Sequence, residues 1–403
     1  MTAGPADNID MTPRSINIAF CENGAGYGGA IISLEAFLEK IAAPFVPHIY
    51  TNFDTDQYRQ LARLGAWRHL APVRTVDPTR LRRTVLLSKF ASPLENVANL
   101  LPYALKYYAR FRQDRIDLVY LNNDCTNNLA ATLAAGWAGL PTVLHARGFH
   151  ADTRATRWVL GKVDRCIAVS HAVKDELFAL GFPPAKCTVV PEGLDLSVFH
   201  PRAQPAPGAL RAELGLDATQ PLVTLVGGLV DWKGQDVLLA AAPHIFARLP
   251  QAHILLVGSA YGRDKRYAET VARDAAAPAM GGRVHMLGAR QDIPAILAES
   301  SVVVHASTTP EPFGRTFLEG MAMGRPTIAS KEGGPLDVIE HELDGLLVPP
   351  RDPAALAAAI VRLLSDPDFS ARLGGNAADK ARRYSIESHA DMIGKVLHSI
   401  FDK

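Results

Sequence analysis

Two parallel-sheet α/β domains in series are what this 403-residue sequence predicts. Its length exceeds that at which a single hydrophobic core usually keeps growing. Short β-rich runs alternate with helical patterns from one end to the other, the rhythm of parallel α/β units. Residues 201–208 (Pro-Arg-Ala-Gln-Pro-Ala-Pro-Gly) interrupt that rhythm with three prolines and a glycine, after which it restarts. The predicted division is a first domain over 1–200, a second over 201–383, and a closing helix over 384–403 that returns to the first domain. No tandem repeat with a period of about 20–50 residues is visible, which excludes a solenoid.

In the first domain, Ser15–Phe20 reads as a strand that runs into the loop Glu22–Gly29 and then a helix from Ala30 to about Ile41. Further strands are expected at Leu118–Leu121, Thr142–His145 and Cys166–Val169. In the second domain, strands are expected at Leu222–Val226, His253–Val257, Val284–Leu287, Ser301–His305, Pro326–Ala329 and Gly345–Val348. Helices are expected at Asp236–Ala247, Tyr267–Ala275, Pro294–Ala298, Gly314–Met323, Leu336–Ile339 and Pro353–Leu364. Open parallel sheets bind ligands at the carboxyl ends of their strands, which places a site in the cleft between the domains.

Composition is that of a globular protein, 48% hydrophobic and 21% charged, with a net charge of +1 that argues against wholesale nucleic-acid binding. The balance is uneven, however. Between Arg59 and Arg115 there are 12 Lys and Arg against three acids, Asp77, Glu95 and Asp114. One reading is a solvated helix face. The other is a patch, centred on Arg80, Arg82, Arg83 and Lys89, that recruits an anionic acceptor or membrane surface. Four scattered cysteines without metal-ligand spacing suit a reduced, cytosolic chain. The polar first 15 residues lack a signal core, and no apolar run reaches the roughly 18–20 residues that cross a bilayer. A cytoplasmic location is expected, with any membrane contact made peripherally at the inner face through 59–115.

The run His305–Gly320 carries the most chemistry. A strand delivers Glu311 to a proline-stiffened loop, and Gly314 opens a helix bearing Glu319. The first amides of that helix, at Gly314, Arg315 and Thr316, are unpaired donors at the positive end of a dipole and suit a diphosphate. Two carboxylates beside an anion site need another partner, and sugar hydroxyls provide one. Taken alone, Glu319 would read as surface decoration, since exposed Glu is common on helices. Its strand–loop–glycine–helix context favours the ligand.

This segment resembles the Glu, seven residues, Glu motif of the family-4 retaining glycosyltransferases, which have the GT-B architecture of two Rossmann-like domains facing each other across a cleft. Gly320–Pro326 resembles the end of the family's motif helix, and Gly333-Gly334-Pro335 and Asp344–Val348 resemble its two downstream signatures. The resemblance implies that Glu311 contacts the donor sugar and Glu319 the ribose of a nucleotide-sugar donor. Val226–Gly234 resembles the family's phosphate-binding strand end, where Lys233 would neutralise the leaving diphosphate. Gly228 stands where the family usually has Arg, so Arg315, Arg263 or Arg147 supplies the second cation or donor binding is altered. Gly288 is assigned to the donor side as well. The loop Gly24–Gly29 resembles the family's amino-terminal loop, in which Gly28 and Gly29 let diphosphate and acceptor pass close to the backbone.

His145, at a strand's carboxyl end, resembles the family's cleft histidine near the donor sugar, and Arg147 is an acceptor-side candidate. Val189–Asp195 matches a hinge segment in which Glu192 replaces the more usual Asn. No DxD-like metal motif lies in a suitable loop, so neither metal nor other cofactor is expected, and Lys233 and helix amides would stabilise the diphosphate. Double displacement needs a carboxylate nucleophile under the anomeric carbon. The resemblance instead implies front-face transfer, with Glu311 positioning the sugar. Two other readings stand beside this one: an epimerase or phosphorylase of the same architecture, and a non-catalytic nucleotide-sugar binder, which only Gly228 favours. The acceptor is open between a glycan, a lipid-linked molecule and a small molecule.

Overall fold

The computed structural model describes residues 14–24, 29–72, 88–204, 208–260 and 265–402, without the side chains of 88–98. Its first sheet has seven strands: β1 (Ile16–Glu22), β2 (Phe45–Thr51), β3 (Ala66–His69), β4 (Leu118–Asn123), β5 (Thr142–Ala146), β6 (Arg165–Ala168) and β7 (Cys187–Val189). They lie in the order β3-β2-β1-β4-β5-β6-β7, every neighbour parallel. The second sheet has β8 (Leu222–Val226), β9 (His253–Val257), β10 (Val284–Gly288), β11 (Val302–His305), β12 (Thr327–Ser330) and β13 (Leu346–Val348). Its order is β10-β9-β8-β11-β12-β13, again all parallel.

Strands covered by helices on both faces read as unbroken apolar runs, and every residue of β5 and β9 is buried. The chain winds outward one way from β1 and the other way from β4. It does the same from β8 and β11. Each sheet therefore has a switch point at which neighbouring loops part and leave a crevice. The loops after β1, β4, β8 and β11 border those crevices.

Several contacts among the described residues stitch the two units together. The helix Ile386–Phe401 lies against the first sheet, where Ile393, Val396 and Leu397 join Ile18, Phe20, Leu34 and Phe37 in one core. Its entry is fixed by paired backbone bonds, Leu194 N to Tyr384 O and Ile386 N to Leu194 O, both 2.9 Å. A Cβ on Gly193 would sit 2.6 Å from the Cβ of His389, so only glycine admits this approach. Apolar packing also continues from Leu194 and Val173 into Phe313, Phe317 and Met321 of the second unit. Finally, the His171 backbone N–H donates to Asp337 Oδ2 at 2.6 Å.

Arg80, Arg82 and Arg83 lie outside the described residues, and Lys89 lies on the helix Ser88–Gln113 without a described side chain. Of the other cations between 59 and 115, Arg59 pairs with Asp54, Arg63 with Glu35 and Glu39, and Arg68 with Asp114. Arg59 and Arg63 are thus balanced by acids outside the counted stretch, and Arg68 by Asp114 within it.

Candidate functional site

The carboxyl edge of the second sheet gathers the richest constellation. β11 ends at His305, and the segment after it is pinned to its neighbours. Gly334 N donates to Glu311 O at 2.8 Å, and a Cβ on Gly333 (φ +67°) would come within 2.2 Å of that same oxygen. On the other side, a Cβ on Gly234 would be 1.9 Å from Ala306 O, so the β8 loop presses directly on the β11 loop. These contacts bring Lys233 Nζ to 3.0 and 2.8 Å from the two oxygens of Glu311. Lys233 also sits over the Trp232 ring, 4.0 Å from its centroid. Ser307 donates to Glu311 Oε2 at 2.9 Å, and His305 Nε2 lies 3.4 Å from it. Burial alone would raise the Glu311 pKa, but the His305 and Lys233 contacts outweigh it and hold the carboxyl at about 2. Glu311 is a firmly ionised, fully engaged carboxylate.

Gly314 (φ +95°) turns the chain into the helix Arg315–Ala322. Thr316 lies in its first turn, half-buried. Glu319 faces inward and is buried. Its desolvation raises the pKa, tempered by Arg315, whose Nε is 3.8 Å from Oε1.

Across the cleft, the strand ends of the first sheet carry a second, continuous polar network. Arg147 Nε donates to Asn122 Oδ1 at 2.8 Å, and its Nη1 donates to Ser33 Oγ at 2.7 Å and Glu192 Oε1 at 2.6 Å. Ser33 donates in turn to Glu192, and Asn122 to Glu22, whose other oxygen accepts from Gly24 N at 3.0 Å. The side chains of Arg147 and Glu192 are 2% and 7% exposed, so this is a buried ion pair. Burial would raise the Glu192 pKa, but Arg147, His389 and Arg315 bring it to about 2.

His145 is fully buried. Its Nδ1 is taken by the Tyr120 hydroxyl and its Nε2 has no partner, while burial and Arg147 hold it neutral. Its ring centroid is 5.9 Å from that of His389 on the last helix. The His389 Nδ1 lies 2.6 Å from Pro191 O, a contact that requires the proton on Nδ1 and leaves a lone pair on Nε2.

The fold therefore brings Lys233, Glu311, Gly314, Arg315, Thr316 and Glu319 together at one strand edge. It sets His145 and Arg147 in the facing network, with Arg147 anchored internally. Gly29 begins the helix Gly29–Leu38 and is exposed, and a Cβ there would meet no described atom. Gly28 and Arg263 lie outside the described residues. Gly288 (φ +68°) ends β10, its carbonyl accepting from Gly258 N at 2.8 Å, and shapes the edge beside the β8 loop. Sequence reasoning passed over Glu22 and Asn122, although both are polar residues ending buried strands. It also gave no role to Ser33, Ser307 or His389. Among the described residues no three His, Cys, Asp or Glu side chains converge as a metal-ligand set.

Two family models match the chain in order. Glycosyltransferase Family 4 covers residues 44–198, largely on the first sheet, and Glycosyl transferases group 1 covers residues 220–366, on the second. The D-inositol 3-phosphate glycosyltransferase of Segniliparus rotundus is 34% identical over 211 residues, covering 52% of this chain and 46% of the relative. The chain matches about half the length of such curated relatives. The crystal structure of Anabaena HepE in complex with UDP aligns over 95% of this chain and 100% of its own, with a TM-score of 0.79 at 23% identity. A glycosyltransferase from Rickettsia africae aligns over 96% and 99%, with a TM-score of 0.81 at 18% identity, and so shares the fold. With both sheets, their order and their motif-bearing loops accounted for, the chain belongs to the group 1, family-4 glycosyltransferases of GT-B architecture.

Proposed function

We propose that this protein is a retaining glycosyltransferase that moves a sugar from a nucleoside-diphosphate sugar to a hydroxyl acceptor without a metal ion. The observation that carries this reading is the Lys233–Glu311–Ser307–His305 cluster beside the open amino end of the helix Arg315–Ala322. Helix amides and Lys233 would bind the diphosphate and take up the charge that develops as the sugar leaves. Glu319, buried and reached only loosely by Arg315, would accept hydrogen bonds from the ribose. Gly29 at the start of the first helix would let the ligand approach the backbone.

Glu311 is poorly suited to attack. A carboxylate with both oxygens already engaged and a pKa of about 2 is a weak nucleophile and a weak base. It is well suited to positioning sugar hydroxyls. This supports front-face transfer, in which the leaving phosphate oxygen takes the acceptor's proton and the new bond forms on the face the diphosphate departs. His145 would face the donor sugar through its unpartnered Nε2.

On the acceptor side, a groove of about 550 Å³ is lined by Leu100, Tyr103, Leu129, Leu133 and Trp158, with Asn127 at its polar edge. Such a groove, with Leu101 and Leu105 exposed nearby, suits an acceptor with an apolar part. The test is a panel of nucleotide sugars assayed for acceptor-dependent release of nucleoside diphosphate, with and without excess EDTA. Release from one donor, undiminished by EDTA and with the anomeric configuration kept in the product, is the expected result. Interconversion of the sugar without release would indicate an epimerase. Binding without turnover would indicate a non-catalytic relative, and loss on chelation would overturn metal independence.

A further inference from the structure

The two halves of the site are carried by different units, so the distance between them depends on contacts that cross from one unit to the other. A run of hydrogen bonds through Asp337 makes such a crossing. On the second unit, Gly334 N donates to Glu311 O at 2.8 Å and Asp337 N donates to Gly334 O at 3.0 Å, which puts Asp337 two backbone bonds from Glu311. Asp337 Oδ2 then reaches the first unit, accepting from His171 N at 2.6 Å and lying 3.2 Å from His171 Nδ1. Two residues before His171, Val169 N donates to Ala146 O at 3.3 Å. Ala146 stands between His145 and Arg147 at the end of β5.

His171 opens the helix His171–Ala179, whose own first turn holds no acid. The Ser170 hydroxyl accepts from Val173 N at 3.2 Å, and Asp337 supplies the acceptor for the first amide of the helix, His171 N. A carboxylate in that position satisfies an otherwise orphaned donor and faces the positive end of the helix dipole. The cap is thus delivered by the other unit. The His171 side chain is 67% exposed and that of Asp337 17%, so the contact sits at a wet rim. Water can replace either partner there, and breaking the bond leaves no buried polar group stranded. Such a contact can open and close without unfolding either unit.

Building on the transferase reading above, we propose that Asp337 is a positioning residue. Its carboxylate caps the helix His171–Ala179 from the other unit and straps the Glu311 side of the cleft to the His145 and Arg147 side at the spacing that transfer requires. Donor and acceptor are held by different units, so their reacting atoms meet only when that spacing is right. A misplacement of about 1 Å can cost on the order of 100-fold in rate. A bare nucleoside diphosphate, held chiefly by the second unit, needs the strap far less.

Two variants break the same bond from opposite sides. Asp337→Ala removes the carboxylate. His171→Pro removes the N–H, and proline suits the first helical position, while Ser170 is already extended (φ −155°, ψ 167°) as a residue before proline must be. Asp337→Asn keeps an oxygen for His171 N. The four native cysteines are buried, so dyes can be placed on introduced ones, one on the helix Ser88–Gln113 and one on the helix Pro367–Ala381. Single-molecule energy transfer between them reads the spacing of the units. Asp337→Ala and His171→Pro should both enlarge the population with the units apart and lower acceptor-dependent transfer by about tenfold or more. Nucleoside-diphosphate affinity by calorimetry should stay close to that of the parent, melting curves should show both variants folded, and Asp337→Asn should recover much of the loss. Parental spacing in both variants overturns the strap. A change in Asp337→Ala alone overturns the bond to His171 as its cause. Altered spacing with parental transfer overturns the positioning role, as does an equal loss of nucleoside-diphosphate affinity, which marks local damage around Gly333 and Gly334. If the parent releases no nucleoside diphosphate from any donor, the transferase reading fails, while the spacing measurement still decides the strap.

Discussion

Glu311 and Glu319 stand eight residues apart, yet their surroundings prepare them for different work. Glu311 is ionised and engaged by Lys233, Ser307 and His305, whereas Glu319 is buried with only a loose cationic neighbour. Glu311→Gln should lower the rate of transfer at least about tenfold, because the sugar it is proposed to position moves in the reaction, and change nucleoside-diphosphate affinity little. Glu319→Gln should mainly weaken that affinity, because a ribose contact is the same before and during transfer. Calorimetry with the bare nucleoside diphosphate separates them, and parental binding by both variants would remove the ribose role of Glu319. These residue types were legible from the strand–loop–helix pattern. Their partners were not, since Ser307 and His305 acquire meaning only once the loop folds back. His389 was the least legible of all: it sits 244 positions beyond His145 in an ordinary amphipathic helix. Burial, partly opposed by Glu192, lowers its pKa from 6.5 to about 4. Between those values the unfolded chain takes up a proton that the folded chain refuses, so stability falls as pH drops. Melting temperature should decline from pH 7 to pH 5, and His389→Gln should flatten that slope without abolishing it, since His145 is depressed too. Equal slopes would show that the His389 ring does not remain neutral in the fold.

Among the elements, the interior strands were plain in the sequence because parallel strands buried on both faces leave continuous apolar runs. β8 and β9 were located to the residue, and β10 to β13 to within a residue at either end. β2, β3 and β7 escaped notice. β2 carries Pro47, which cannot donate to a ladder, and β3 and β7 span only four and three residues at the sheet's two edges. The helix Ser88–Gln113 was given no bounds, although a helix face was one of the two readings of its basic and apolar residues. Glycines were the most informative single letters, because several are required by close backbone approach. Gly314 is such a position. A Cβ there would lie 2.9 Å from the Phe317 ring and 3.0 Å from His305 Nε2, in a left-handed conformation. Gly314→Ala should cost roughly 1–3 kcal/mol of stability from the backbone alone. It should also shift the first amides of the helix and weaken nucleoside-diphosphate binding. Chemical denaturation alongside calorimetry checks both effects, and an unchanged denaturation midpoint would refute the strain.

For the molecule as a whole, charge and exposure decide how it meets an acceptor. Among the described residues no helix is long and apolar enough to cross a membrane. The helix Ser88–Gln113 nonetheless exposes Leu101 and Leu105 beside Lys106, Arg110 and Arg112. Basic groups near an anionic surface contribute about 1 kcal/mol each and fade beyond a Debye length of roughly 8–10 Å in physiological salt. Co-sedimentation with anionic vesicles at low salt, lost at high salt and absent with neutral lipid, is the expected outcome if this face recruits a lipid-linked acceptor. An Arg80→Ala, Arg82→Ala, Arg83→Ala, Lys89→Ala variant should then bind more weakly, and equal, negligible binding throughout would assign the stretch to plain solvated surface. The return of the helix Ile386–Phe401 to the first sheet has a different kind of consequence, one of timing. Ile393, Val396 and Leu397 complete an apolar layer whose other members, Ile18, Phe20 and Leu34, are translated more than 350 residues earlier. As the chain emerges from the ribosome, the unit started first can be finished only last. The unit made second has its sheet and core complete by then, so the amino-terminal half depends on a chaperone or on its own partial packing until translation reaches its missing helix.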